Sequence, residues 1–91
     1  MAEQVPSIGR VVHYALGAGP HQGECRPALI VRVWGDQPDS LVNLQVFVDG
    51  SNDYYKNQGP EPLSLWRTSV HLDASGKPDT WHWPEYVPAR A

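Results

Sequence analysis

The residues with the most chemistry to offer are tryptophan and arginine. The 91-residue chain holds four tryptophans, with five arginines against two lysines. Indole faces stack on rings and serve interfaces as well as cores. A guanidinium grips phosphate or carboxylate through two parallel hydrogen bonds and stacks on aromatic rings. Arg32 stands two residues from Trp34 and Arg67 directly follows Trp66, with Arg26 a third arginine of interest. A guanidinium beside an indole suits a phosphorylated, ring-bearing ligand through ion pairing and cation–π contact. Tyr54 and Tyr55 fall in a long loop and could cover such a ring. In the tail, Thr80-Trp81-His82-Trp83-Pro84-Glu85 as a strand would set Trp81 and Trp83 on one face and His82 on the other. One of these indoles seals a core and the other borders a pocket. The expected ligand-binding set is therefore Arg32, Trp34, Tyr54, Tyr55, Arg67, Trp81 and Trp83.

The four histidines, His13, His21, His71 and His82, lie on different elements without the short paired spacing of zinc motifs. His71-Leu72-Asp73 is the closest approach to a ligand pair, and the run Asp49-Gly50-Ser51-Asn52-Asp53 lacks the spacing of a calcium loop. No metal and no cofactor is expected. Cys25 is the lone cysteine, which forbids an intrachain disulfide and suits a reducing compartment. Phosphate-loop, G-x-S-x-G and C-x-x-C patterns are all missing. His13 or His82 could meet a carboxylate such as Glu85 only through the fold. A non-enzymatic protein is expected.

The elements that position these residues read as short strands. Gly9–Leu16 is the first, followed by a glycine-rich loop over Gly17–Gly23. Pro27–Trp34 is apolar on both faces and reads as central; strict alternation groups Ala28, Ile30, Arg32 and Trp34. Leu41–Asp49 follows a polar turn, with Val42, Leu44, Val46 and Val48 as its core face. A long loop to about Pro62 leads to Leu63–Val70, where alternation groups Trp66, Thr68 and Val70. Thr80–Trp83 is a short last strand, stopped by Pro84. No helix-period stretch of useful length and no internal repeat is present. The spacing predicts a mostly-β domain over residues 1–91, a five-stranded SH3-like barrel with an OB-like barrel as the alternative; residues 1–7 and 86–91 read as irregular ends.

Composition narrows the partners. A net charge of −3 argues against duplex nucleic acid held through its phosphates, yet leaves room for a small anionic ligand. No segment approaches the ~18 consecutive apolar residues of a membrane helix, and Met1–Ser7 has no leader pattern. A cytoplasmic protein without a membrane partner is expected.

The runs Arg26-Pro27-Ala28-Leu29-Ile30-Val31-Arg32-Val33-Trp34-Gly35 and Val42-Asn43-Leu44-Gln45-Val46-Phe47-Val48-Asp49-Gly50, with Leu65-Trp66-Arg67-Thr68-Ser69-Val70 and Thr80-Trp81-His82-Trp83-Pro84-Glu85, form a pattern over about residues 8–85. It resembles small uncharacterised proteins of tailed double-stranded DNA phages and prophages. The resemblance implies an infected bacterial host cell and raises the class of proteins that counter host defence. It transfers no binding residue. Two functions follow as expectations. In one, the protein sequesters a small phosphorylated, nucleotide-like signal of host defence, as a homo-oligomer whose chains share the pocket. In the other, an SH3-like or virion-associated module binds a host or phage protein through its Trp–Pro surface, Pro84 and Pro88 included.

Overall fold

The computed structural model describes residues 4–55 and 62–85. It holds five strands, β1 (Val11–Ala15), β2 (Cys25–Val33), β3 (Val42–Phe47), β4 (Ser64–Leu72) and β5 (Thr80–His82), and one 3-10 turn over Gly50–Asp53. The strands form a closed barrel in sequential order, with β5 returning to pair with β1. Sequential neighbours rather than a Greek-key crossing give the SH3-like form of small barrel. Three consecutive antiparallel pairings join β1 to β4. Beyond the turn that follows β4, the chain runs beside the end of that strand in the same direction, so β4 and β5 pair in parallel. Among the described residues, no helix is long and apolar enough to cross a membrane.

The alternation of β3 works as expected. Val42, Leu44 and Val46 are fully buried, while Gln45 and Phe47 face outward. Val12, Tyr14, Ala28, Ile30, Val70 and Trp81 complete the core with Leu16. Each buried aliphatic side chain contributes about 1.5–3 kcal/mol by leaving water, and β-branched residues, already stiff at χ1, fill the pleated inner face with little further loss of rotamer freedom.

Strict alternation fails in β2 and β4, in both cases opposite the same residue. The β2–β3 register slips between Ile30 and Arg32, so Val31 and Arg32 together oppose Asn43. The β3–β4 register slips between Val42 and Leu44, so Thr68 and Ser69 together also oppose Asn43. An extra residue on one strand turns every later side chain to the opposite face. Arg32 and Trp34 therefore leave the face of Ile30 and point outward, which corrects the grouping that alternation predicts. Likewise Trp66 is exposed while Val70 is buried, so they do not share a face as predicted.

Asn43 makes this double bulge tolerable. Its buried Oδ1 accepts hydrogen bonds from Trp34 Nε1 (2.9 Å), Thr68 Oγ1 (3.0 Å) and the Ser69 N–H (2.9 Å). Ser69 sits at φ 54°, the left-handed region that suits an extra bulge residue but costs a side-chain-bearing one about 1 kcal/mol. The Asn43 carbonyl offsets that cost by accepting the Ser69 N–H that the ladder leaves unpaired.

A second polar lock closes the barrel mouth. Tyr14 Oη donates to Asp79 Oδ1 at 2.6 Å, and burial with this bond pushes the phenol up to about 12. Gly17 approaches so closely that a Cβ there would overlap the Asp79 carboxylate. Gly17→Ala should therefore displace Asp79 from Tyr14 and cost about 1–3 kcal/mol. The measurement is a urea midpoint for the variant, and an unchanged midpoint would show that the Tyr14–Asp79 bond contributes nothing to stability.

Candidate functional site

The seven residues expected to bind a ligand do not form one site. They fall into three places on the barrel. Trp81 points inward, is 0 % exposed and belongs to the core. Trp83 packs partly buried against it, edge to face with ring centroids 5.4 Å apart, and the Arg10 guanidinium lies 4.9 Å above the Trp83 ring. One indole seals the core as expected; the other is held by Trp81 and Arg10 at the end of the barrel.

Arg67 and Tyr54 border a cavity of about 330 Å³ at the barrel mouth, lined also by Tyr14, His21, Asp53 and Asp79. This volume lies at the small end of ligand pockets. Arg67 Nη1 donates to the backbone oxygen of Trp66 at 3.1 Å, and Tyr54 Oη donates to the Pro62 carbonyl at 3.0 Å. Two carboxylates, Asp53 and Asp79, face the same space, which opposes an anionic occupant. Tyr55 is exposed beyond the 3-10 turn. The segment 56–61, on which the expected tyrosine lid also depends, lies outside the described residues.

Arg26 has a structural task. Its Nε and Nη2 donate to Asp53 Oδ2 and Oδ1 at 2.8 and 2.6 Å, a two-pronged pair with the carboxylate side chain only 2 % exposed. The backbone N–H of Asp49 donates to the same carboxylate at 2.6 Å. These bonds hold the Asp53 carboxyl below its ordinary range against the opposing effect of burial. The pair ties the 3-10 turn after β3 to the first residues of β2, and so shapes the cavity wall.

Arg32 and Trp34 form the third place, and it extends beyond the expected set. The Arg32 guanidinium lies 4.1 Å over the Trp34 ring. Trp34 is 51 % exposed and Trp66 54 % exposed, with Val11, Val31 and Phe47 also exposed. Register makes these residues one surface. Val11 pairs with Leu29, Leu29 with Gln45, and Gln45 with Trp66, giving an outward row across four strands. Phe47 pairs with Ser64, two residues along β4 from Trp66 and within diagonal reach. The hydrogen bond from Trp34 to Asn43 pins the indole against the same sheet. No strand of the barrel contains a carboxylate; every described aspartate and glutamate falls in a turn or a loop. The outer face is therefore aromatic, aliphatic and cationic at Arg32. Trp66 and Phe47 were missed as site residues because alternation placed Trp66 with the buried Val70, and Phe47 carried no partner pattern.

A fourth cluster brings together residues that sequence spacing kept apart. His13 on β1 pairs directly with His82 on β5, and Cys25 opens β2 two positions before Pro27, the residue opposite His13. Cys25 Sγ lies 3.6 Å from His82 Nε2. Glu85 reaches both histidines, Oε1 at 2.9 Å from His82 Nε2 and Oε2 at 3.2 Å from His13 Nδ1. The meeting of these histidines with Glu85 is the one anticipated through the fold. Partial burial of the thiol, with Glu85 nearby, pushes Cys25 above its ordinary value, the wrong direction for a nucleophile. The short interval from His82 to Glu85 was the only trace of this cluster along the chain.

Comparison with protein-family models, with curated proteins and with solved structures returns no match.

Proposed function

We propose that the protein is a non-enzymatic binding module whose outer β2–β3–β4 face docks a protein partner. The observation that carries this reading is the set of exposed side chains Trp34, Trp66, Phe47, Val31 and Val11 on the outer faces of neighbouring strands, with the Arg32 guanidinium over Trp34. Exposed apolar surfaces of this kind mark interaction sites, and tryptophan and arginine dominate the energetics of such contacts. On this face β2 and β3 are paired on both sides, so recognition there runs through side chains and not through an added strand. Among the described residues Arg32 makes no ion pair, so the face suits a partner presenting an acidic group next to apolar side chains. A second copy turned onto the same face would set one cationic face against another.

Trp66→Ala should leave stability within about 0.5 kcal/mol, because the indole is exposed. It should weaken the partner's affinity by about 2 kcal/mol, roughly thirtyfold. A photo-crosslinking residue at position 66 captures the partner from host extract, with position 75 on the turn after β4 as control, and titration of the purified partner against wild type and Trp66→Ala gives the affinities. Equal affinity would move the interface elsewhere. Following the resemblance to phage proteins, the extract is that of a bacterial host, and the cytosol of an infected cell is the proposed setting.

The Arg32–Trp34 pair also supports a second reading, sequestration of a small anionic nucleotide-type signal, with a homo-oligomer enclosing more of the ligand than one face can. Native mass spectrometry with cyclic dinucleotides, cyclic trinucleotides and cyclic ADP-ribose isomers tests it. A stoichiometric mass gain with intact ligand recovered supports sequestration, and no gain with any of them overturns it.

A further inference from the structure

We infer that His13, Cys25 and His82, with Glu85 as fourth ligand, form a binding site for a zinc ion that fastens the closure of the barrel. One donor atom from each of His13, Cys25 and His82 lies within 4.8 Å of the others. Imidazole nitrogen, thiolate sulfur and carboxylate oxygen are the donors that zinc takes in tetrahedral sites. Ligand atoms about 2.0–2.3 Å from zinc stand ~3.3–3.6 Å apart along the edges of a tetrahedron. The Cys25 Sγ to His82 Nε2 separation of 3.6 Å meets that spacing, and His13 Nδ1 to Glu85 Oε2 is 3.2 Å. His82 Nε2 to Glu85 Oε1, at 2.9 Å, must open slightly to admit the ion. Glu85 is exposed and lies just beyond the last strand, so its carboxylate has that freedom.

Two further observations point to a cation. His13 Nδ1 is buried and makes no directed hydrogen bond, although Glu85 lies beside it. A metal ion would take that lone pair, where a hydrogen bond fails on direction. The imidazole planes meet at 85° with centroids 5.5 Å apart, so the rings converge on one region from perpendicular directions instead of stacking. His82 is only 6 % exposed, which fixes one ligand in place before metal arrives.

The fold explains what the ion would accomplish. The barrel closes through β5, which has three residues and two paired positions with β1. His13, Cys25 and His82 come from β1, β2 and β5, and Glu85 from the segment after β5. One ion would thus join the first strands of the barrel to its last. Small domains with thin cores gain folding free energy from such a centre, because the unfolded chain has no preformed site.

The test uses the full chain under reducing conditions, with Zn²⁺ and Co²⁺ as probes. One equivalent of Co²⁺ should produce tetrahedral visible bands and a thiolate-to-cobalt charge-transfer band in the near ultraviolet, both displaced by Zn²⁺. Zinc at a hundredfold excess over its dissociation constant should raise the thermal midpoint on the order of 10 °C. Cys25→Ser should abolish the charge-transfer band and most of the thermal rise. His13→Ala should weaken metal binding at least tenfold, and Glu85→Gln should weaken it less while keeping the charge-transfer band. Circular dichroism of each metal-free variant establishes that the barrel is intact. Absence of a charge-transfer band in the wild type, or metal binding unchanged by both Cys25→Ser and His13→Ala in folded protein, would overturn the site.

Discussion

Trp81→Ala should be the most damaging single truncation in this barrel, at about 3–5 kcal/mol. The indole is fully buried, packs beside Tyr14 across the β1–β5 pairing, and supports Trp83 edge to face. Its removal opens a cavity that Val12, Leu44 and Val70 cannot fill without moving the strands that carry them. A single small domain has about 5–15 kcal/mol in total, so the variant should unfold at a far lower urea concentration or fail to fold. Trp81→Phe separates packing from polarity. Trp81 Nε1 is buried without a hydrogen-bond partner, and leaving a donor orphaned costs about 1–3 kcal/mol. Phenylalanine removes that donor while keeping most of the ring. Its net loss should stay below about 1.5 kcal/mol, well short of the alanine value. Equal urea midpoints for the phenylalanine and alanine variants would show that the ring volume kept by phenylalanine contributes nothing, and would overturn packing as the role of Trp81.

The second large effect comes from Arg26. Arg26→Ala should destabilise by about 3–5 kcal/mol, because it strands the Asp53 carboxylate in a buried position with only the Asp49 N–H for company. The double variant Arg26→Ala/Asp53→Asn should recover part of that loss, since the uncompensated charge goes with the partner. The pH dependence carries the sign of the pair. In the folded protein, Arg26 holds the Asp53 carboxyl below its ordinary value, with burial opposing. A group depressed on folding contributes stability that is fully present above its unfolded value and is lost as pH falls through its folded value. Wild type should therefore keep this contribution at neutral pH and surrender it only on acidification beneath the ordinary aspartate range. Arg26→Ala should lack that contribution at neutral pH, so its stability should converge on that of wild type as the medium is acidified. Urea midpoints from neutral pH down to ~pH 2 measure the convergence. A constant difference across that range would assign the effect of Arg26 to packing of its aliphatic stem.

Much of the barrel was legible along the chain because burial in a sheet has period two. Val42, Leu44 and Val46 alternate cleanly with polar or outward residues, and β3 obeys that pattern to the last buried valine. Gly17 and the proline after Trp83 punctuate the strands for reasons local to the backbone. One seal among the tail tryptophans was likewise readable from the spacing of Trp81 and Trp83.

The sites were not readable in the same way, and the reason is bulge geometry. Nothing local in Val31 or Ser69 announces an extra residue, because a bulge is a relation between two strands. Only the register around Asn43 turns Arg32, Trp34 and Trp66 to the outside while Ile30 and Val70 stay in the core. The same holds for His13, Cys25 and His82. Their separations along the chain are those of loops and turns, and antiparallel pairing on both sides of β1 converts them into neighbours. Residue type and period thus determined the strands and their core faces from the sequence alone. Strand register, which depends on contacts between distant segments, decided which side chains meet.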